Sequence, residues 1–379
     1  MSDERIYECA IIGGGLAGLT LAIQLAKQHH TVILFEKEQY PFHKVCGEYI
    51  SLESWNFLLR LGLPLHSMGL PIIKKLIVSA PSGKVLEQDL PLGGFGISRY
   101  KIDNELRQIA EKSGVKILEN CKVEDVSFQD EIFLTKTSAG IFSSKVCCGS
   151  FGKRSNLDIK WKRPFTQKTD NKLSNFIGIK YHIRSNFPVD QIALHNFKDG
   201  YCGISKVEDD RYCLCYLTNA ANLKKSGNSI ELMEKNILAK NPFLKEIFDN
   251  RESLYEQPLS ISQISFNPKT QVEDHILMVG DAAGMITPLC GNGMSMAMHG
   301  SKIAATFVDR FLSGKISRIQ LENNYQKEWT KTFGKRIKTG RLIQRFFGKT
   351  WTTNFFVQTM ALFPPLTRWI IRQTHGEAF

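Results

Sequence analysis

Three observations predict a chain of the α/β class. Residues 6–27 join a short apolar run to a helical run through a glycine-rich corner. A second corner of the same kind lies near residue 280, and strand-like runs follow one another between 176 and 217. Together they predict a parallel sheet with helices, assembled from both ends of the chain, beside an antiparallel β-sheet and a helical C-terminal tail. The 379 residues exceed the length at which one core keeps growing, so more than one core is expected. The pattern places residues 1–75, 98–155 and 265–315 in the parallel-sheet domain. It gives 76–97 and 156–264 to the antiparallel domain and 316–379 to the tail.

Composition excludes several classes. Apolar residues at 42% and charged residues at 23% are ordinary for a folded globular chain. The opening residues lack the basic-then-apolar order of a secretory signal, and no apolar run approaches the roughly 20 residues that span a bilayer. Nine cysteines without a C-x-x-C pair fit neither a disulfide framework nor a zinc site, so no metal is expected and a cytoplasmic setting is. The net charge of +12 is concentrated: residues 321–379 hold ten Lys/Arg and three Glu. Such a surplus draws phosphates, anionic lipid or nucleic acid. No aromatic platform is interleaved with these cations, so no nucleic-acid partner is expected.

Ile6 to Ile12 read as a buried strand that ends at three glycines. Gly13-Gly14-Gly15-Leu16-Ala17-Gly18 then satisfies G-x-G-x-x-G and opens a helix from Leu16 to Lys27. Gly13 permits the tight turn, Gly15 lets the backbone approach a pyrophosphate, and Gly18 allows close helix–strand packing. The helix start at Leu16 and Ala17 turns unpaired N–H groups and a partial positive charge toward the phosphates. A second strand, Thr31 to Phe35, ends in Glu36, placed to accept hydrogen bonds from ribose hydroxyls, with Lys37 beside it. Strand, glycines, helix, second strand and acidic end in register predict a Rossmann-type dinucleotide site. A carboxylate at Glu36 disfavours a 2′-phosphate there. The fingerprint alone leaves NAD and FAD open.

Asp274 to Val279 is a strand that runs into Gly280-Asp281-Ala282-Ala283-Gly284, then Pro288, Gly291-Asn292-Gly293 and a long helix from Met294 to Phe311. This arrangement resembles the second FAD segment of the superfamily that contains aromatic-ring hydroxylases and geranylgeranyl reductases. The resemblance implies FAD as cofactor, with Gly280 and Asp281 at the ribityl chain and Gly291, Asn292, Gly293 and Met294 beside the pyrimidine edge of the flavin. A helix N-terminus there would stabilise the negative charge of reduced flavin. Tyr40 to Ser51, through Lys44, Cys46 and Gly47, is similar to the Cys-Gly-rich segment of the geranylgeranyl-reductase branch, which passes close to the flavin ring. Ser98 to Leu106 resembles a family stretch whose Arg, here Arg99, contacts the cofactor. Gly114 to Val123 reads as one strand that reaches the adenine. These matches cover roughly residues 6–125 and 265–311.

The sequence also departs from the family pattern. The hydroxylases' middle Asp-Gly motif, which serves FAD and NAD(P)H, corresponds to Cys148 to Ser155, with Phe151 in place of the Asp. Gly200 to Ser205 keeps the Tyr of the reductases' Tyr-x-Trp-x-Phe-Pro motif, as Tyr201, without the Trp or the Phe-Pro. The Trp-x-Trp-x-Ile-Pro run of flavin halogenases is not found. The helix after Asp281 is closer to the small-residue helix of the reductase branch.

Between the corners, Phe176–His182, Gln191–Phe197 and Arg211–Leu217 read as antiparallel strands with one covering helix from Ile230 to Ala239. Cys213 and Cys215 share a strand face and read as small apolar fillers rather than a redox pair. The tail from Tyr325 to Lys349 reads as helical, with Lys331, Lys335, Lys338, Arg345 and Lys349 to one side and Phe333, Ile337, Ile343 and Phe347 to another. Its ordinary reading is a solvated basic face over a packed apolar one. The sharper reading is peripheral contact with an anionic membrane.

The expectation is an FAD-dependent oxidoreductase, NAD(P)H-linked and geranylgeranyl-reductase-like, that reduces a hydrophobic isoprenoid, lipid or polyketide. An FAD-dependent monooxygenase of an aromatic or polyketide substrate is the alternative, and a non-catalytic FAD-binding protein a third. Cys46 is the candidate catalytic group, as a proton donor, with inert packing as its ordinary reading. His43 reads as a phosphate or solvent contact rather than a covalent flavin link. Substrate identity and oligomeric state are not written in the residues.

Overall fold

Ile6–Ile12 is almost wholly apolar because it is buried on both faces of a parallel sheet. In this computed structural model it lies between Val32–Phe35 and Gly140–Gly149, both parallel to it. The structure describes residues 5–167, 175–287, 291–344, 346, 347, 349–374 and 376–379; Pro288 and Arg345 lie outside them. Lys116–Leu118 extends the sheet beyond Val32–Phe35, and Ile276–Met278 extends it beyond Gly140–Gly149. The strands that lead into the two glycine corners are therefore separated by a single strand.

Their helices pack side by side. The Thr20 hydroxyl of Leu16–Lys27 lies 2.7 Å from the Ser301 hydroxyl of Gly293–Leu312. Behind the second of these runs Arg318–Gln344, which buries Tyr325, Trp329, Phe333 and Ile337 in the same core. The Tyr325 hydroxyl donates to the Met278 carbonyl at 2.6 Å, tying the tail to the sheet.

Gly114 to Val123 is not one strand. Lys116–Leu118 pairs with Val32–Phe35, whereas Val123 opens Val123–Gln129, part of an antiparallel flap with Ile132–Thr137 and Gly140–Gly149. Asn120, at φ +53°, makes the break; asparagine tolerates this left-handed conformation better than most residues.

The second sheet has nine strands. Its order is Glu252–Ser253, Phe176–Arg184, Tyr212–Asn219, Gly200–Lys206, Gln191–Phe197, Ile72–Ser79, Val85–Gly96 and Tyr49–Ser51, with Leu259–Ile264 also paired to Phe176–Arg184. Gln191–Phe197 and Ile72–Ser79 run parallel; the other neighbours are antiparallel. The boundary expected at 75/76 thus cuts a strand, and Tyr49–Ser51 sits at this sheet's edge although the glycine-rich segments surround it in sequence. Pairing is set by what the strand meets in space, which composition does not report. Residues 156–167 also depart from their assignment. Leu157 lies in the first core, and the fully buried Arg163 donates to Asp158 at 2.8 Å and to the Ala282 carbonyl at 3.2 Å.

Three helices rather than one accompany the sheet: Ala220–Lys225, Ile230–Asn236 and Pro242–Asn250. The last starts at Pro242, where the Asn241 side chain accepts from the Phe243 N–H at 3.0 Å. Among the described residues the tail forms the helices Arg318–Gln344, Thr350–Leu362 and Pro364–Thr374. Among the described residues no helix is long and apolar enough to cross a membrane.

Gly280, at φ +66°, is where the corners touch: a Cβ there would lie 2.8 Å from the Ala17 Cβ. Gly280→Ala is expected to lower the unfolding free energy by about 2–4 kcal/mol, read as a fall in the urea midpoint.

Candidate active site

Both corners open on one cavity of about 340 Å³. Gly15, Leu16 and Ala17 line it from the first corner, and Asp281, Gly291, Gly293 and Met294 from the second. Between them lie the loop Val45–Tyr49, Arg99 and the segment at Ser150, Gly152 and Lys153.

The first corner is shaped for a phosphate. Gly13, at φ +101°, backs onto the Ser150 carbonyl, which a Cβ would approach to 2.7 Å, and a Cβ on Gly18 would strike the Gly13 carbonyl. Gly15 faces open space instead. The nearest groups to a Cβ there would be the Arg99 guanidinium at 3.5 Å and the Lys44 amine at 3.9 Å. Asp103 holds both cations: Arg99 Nε donates to Oδ1 at 2.8 Å, and Lys44 Nζ to Oδ2 at 3.0 Å. Burial would raise the Asp103 carboxyl, but the two cations outweigh it and hold it below the usual carboxylate range. Two cations share one carboxylate beside a helix N-terminus, leaving net positive charge where a pyrophosphate would lie.

Glu36 is buried at the end of its strand, but its carboxylate is fastened to the glycine loop: Oε2 accepts from the Gly14 N–H at 2.8 Å. It therefore shapes the turn directly, a role its spacing from the glycines does not reveal. Lys37 is exposed and paired with Glu38 at 3.4 Å, and Val123 is buried in the first core. Neither is among the residues that line the cavity. Gly13, Gly18, Gly280 and Asn292 shape the corners from behind without lining the cavity.

At the second corner Lys269 donates to the carbonyls of Asp281 and Lys153, 2.7 Å each. Burial pushes its amine down to about 8. No motif singles this lysine out. Gly291 lies against the Tyr49 ring, whose hydroxyl is buried without a hydrogen-bond partner among the described residues. Cys46 meets Met294 across the cavity, Sγ to Sδ 3.5 Å. Cys213 donates its thiol to the Cys46 carbonyl at 3.2 Å, and Cys215 lines the cavity. Burial raises both thiols, Cys215 to about 12, which keeps them protonated and fits the reading as fillers.

Beneath the Cys46–Gly47 loop lies a cluster that sequence reasoning missed. Glu48, fully buried at φ +55°, accepts from Lys180 and from the Arg99 backbone N–H (2.7 Å), while its other oxygen pairs with His182 Nε2 at 2.5 Å. Tyr255 then bridges His182 Nδ1 at 2.6 Å and His43 Nε2 at 3.0 Å. His43 is thus a hydrogen-bonding member of this chain, its imidazole stacked on Tyr100 and pushed down to about 4 by burial and the Lys180 charge. Glu48, His182 and Cys213 lie within 4.8 Å of one another, but the Lys180 ammonium already stands where a metal cation would neutralise Glu48. Lys180 and His182 stand two positions apart on Phe176–Arg184, and only the fold brings Glu48 to them.

Residues 11–48 match the family described as NAD(P)-binding Rossmann-like domain. "Conditioned medium factor receptor 1" of Dictyostelium discoideum is 24% identical over 91% of this chain and 71% of its own. A 1H-pyrrole-2-carbonyl-[peptidyl-carrier protein] chlorinase of Pseudomonas fluorescens is 24% identical over 90% and 82%. The structure of the flavin-dependent brominase Bmp2 superposes with a TM-score of 0.79 at 22% identity, covering 98% of this chain and 93% of that one. The fold is that of the FAD-dependent oxidoreductases and halogenases. A digeranylgeranylglycerophospholipid reductase of Methanosarcina acetivorans, 22% identical over 91% and 85%, is no nearer than the chlorinase. The narrower resemblance to that branch is therefore not singled out. The residues at both corners fit FAD: open backbone beside two cations at one end, an unpartnered buried hydroxyl and a long helix's N-terminus at the other.

Burial alone would raise the Glu48 carboxyl, yet Lys180 and His182 hold it down to about 2, against 4.5 for the free side chain. Its pairing therefore stabilises the fold fully above about pH 4.5, and that contribution is lost as pH falls toward 2. Glu48→Gln is expected to cost about 3–5 kcal/mol near neutral pH, because Lys180 is left buried and unpaired. Urea unfolding across that pH range should show the variant's acid limb flattened.

Proposed function

We propose that the protein is an FAD-dependent oxidoreductase whose substrate is long and apolar. One observation carries this reading: the cavity that both corners face continues into a chamber of the second sheet and the tail. Leu76, Val78, Leu86, Ile192 and Leu194 wall it on one side, and Ile343, Phe347, Phe356, Met360 and Ile370 on the other. Bound FAD supplies two-electron redox chemistry at the junction of these two regions.

The chain's own residues do the rest. Arg99, Lys44 and the start of Leu16–Lys27 hold the pyrophosphate; Asp281 and the turn Gly291–Met294 hold the flavin end. The apolar chamber binds the substrate and excludes water, which strengthens every electrostatic interaction inside it. Tyr201 and Ser205 are among the polar residues that line it. In the reductive, geranylgeranyl-reductase-like reading, Cys46 gives its thiol proton to one carbon of an isoprenoid, lipid or polyketide double bond while the other carbon takes the hydride that reduced cofactor would supply, and the thiolate regains a proton from solvent once product has left. NAD(P)H supplies the electrons.

A second reading, oxygen-dependent halogenation or hydroxylation, is favoured by the relatives themselves. These include the pyrrole chlorinase, a tryptophan 2-halogenase of Chondromyces crocatus and a kynurenine 3-monooxygenase of Flavobacterium psychrophilum. Phe151, packed toward Trp161 at 6.1 Å, stands where a nicotinamide-serving Asp is expected, which suits electrons delivered by a separate reductase.

Purified protein is expected to be yellow, and Gly15→Val to lose FAD by at least about tenfold in affinity, measured by flavin fluorescence. Anaerobic NADPH or NADH should bleach the wild type, and single-turnover assays with polyprenyl substrates should show double-bond loss by mass spectrometry. Bleaching only through an added flavin reductase, with halogenated or hydroxylated product in air, would establish the second reading. Cys46→Ala should lower the reductive rate about 10²–10⁴-fold with little change in FAD content.

A further inference from the structure

The last two helices are apolar on both sides. Phe356, Met360 and Ile370 point into the cavity. On the opposite side Trp351, Phe355 and Leu362 are 77, 61 and 69% exposed, spaced along one stripe of Thr350–Leu362. Trp351 and Phe355 stack on each other with ring centroids 6.2 Å apart. Phe363 and Trp369, on either side of Pro364, are 56 and 58% exposed as well. Scattered apolar residues are normal on a protein surface, whereas a run of large exposed ones from Trp351 to Trp369, two of them tryptophans, marks a contact.

Charge selects the contact. From Trp329 to Gly376 the sequence has nine Lys/Arg and no Asp or Glu. Lys349, which caps Thr350–Leu362, and Arg368 and Arg372 on Pro364–Thr374 are exposed beside the aromatic side chains in sequence. A second copy of this chain would bring like charges together, so self-association through this face is opposed. Tryptophans flanked by cations on a helix too short to span are instead suited to the boundary between headgroups and acyl chains.

We propose that this face docks the protein on an anionic lipid bilayer. Trp351, Phe355 and Trp369 insert at the headgroup boundary, and Lys349, Arg368 and Arg372 meet the lipid phosphates. Because the same helices wall the cavity, a membrane-resident substrate needs to pass only one helix layer to reach it. The docking itself does not rest on the oxidoreductase reading and is tested apart from it.

The test is sedimentation of the full FAD-loaded chain with vesicles of phosphatidylcholine alone, or mixed with phosphatidylglycerol, with tryptophan emission recorded in parallel. Expected are binding to the mixed vesicles with a blue shift, weak binding to phosphatidylcholine, and loss of the difference at high salt. Trp351→Ser with Trp369→Ser should lower partitioning by at least about tenfold while flavin content and circular dichroism stay unchanged. Arg368→Gln with Arg372→Gln should lower binding to the mixed vesicles by about tenfold or more without altering binding to phosphatidylcholine. Equal failure to bind either vesicle overturns the proposal. So does a concentration-dependent dimer, seen by light scattering, that the tryptophan variants dissolve, or selective capture of an acidic carrier protein in place of vesicles.

Discussion

The contact of Gly280 with Ala17 is the constraint on which the rest depends. It sets the spacing of the two helices that begin at the glycine corners, and the Thr20–Ser301 hydroxyl pair continues that contact one turn further on. Only with the helices this close do the first corner's phosphate-sized opening and the second corner's helix N-terminus face one cavity. A larger side chain at either position would force the corners apart and divide the site. The absence of bulk is here a positive structural requirement, not a neutral one.

The second sheet is joined to this arrangement by charge as well as by apolar packing. Glu48 belongs to the loop that passes the cavity, whereas Lys180 and His182 belong to a strand of the other sheet. A buried ion pair contributes little net stability, since desolvation offsets most of its attraction, but breaking one is costly. Such a pair fixes position more than it adds strength. The loop bearing Cys46 and Gly47 is held to the chamber wall by this pair and by the Cys213 thiol on the Cys46 carbonyl, and the orientation of the cavity's two halves follows from these ties.

Much of this was legible in the residues. The first corner was readable because each glycine performs a local task within a few positions, and local tasks leave local patterns. The second corner was readable by resemblance to a known segment. The Glu48 cluster, Lys269 and the Tyr49–Ser51 edge strand were not, because their partners lie far away in sequence and no spacing rule connects them. Glu36 was located correctly at the end of its strand, yet its bond to the Gly14 N–H leaves no mark in the sequence. The number of helices beside the second sheet was also under-read, since Asn241 and Pro242 restart a helix that hydrophobic periodicity alone would run on or end.

The strand order has a bearing on how the molecule comes into being. Gly140–Gly149 is available early in synthesis, but the neighbour that covers its far edge, Ile276–Met278, is made much later. Until then the growing chain carries an uncovered parallel edge, and the entire second sheet must emerge before that edge is satisfied. The pocket thus stays half-built, and a ligand gripped by both corners would have nothing complete to hold on to until the final third of the polypeptide arrives.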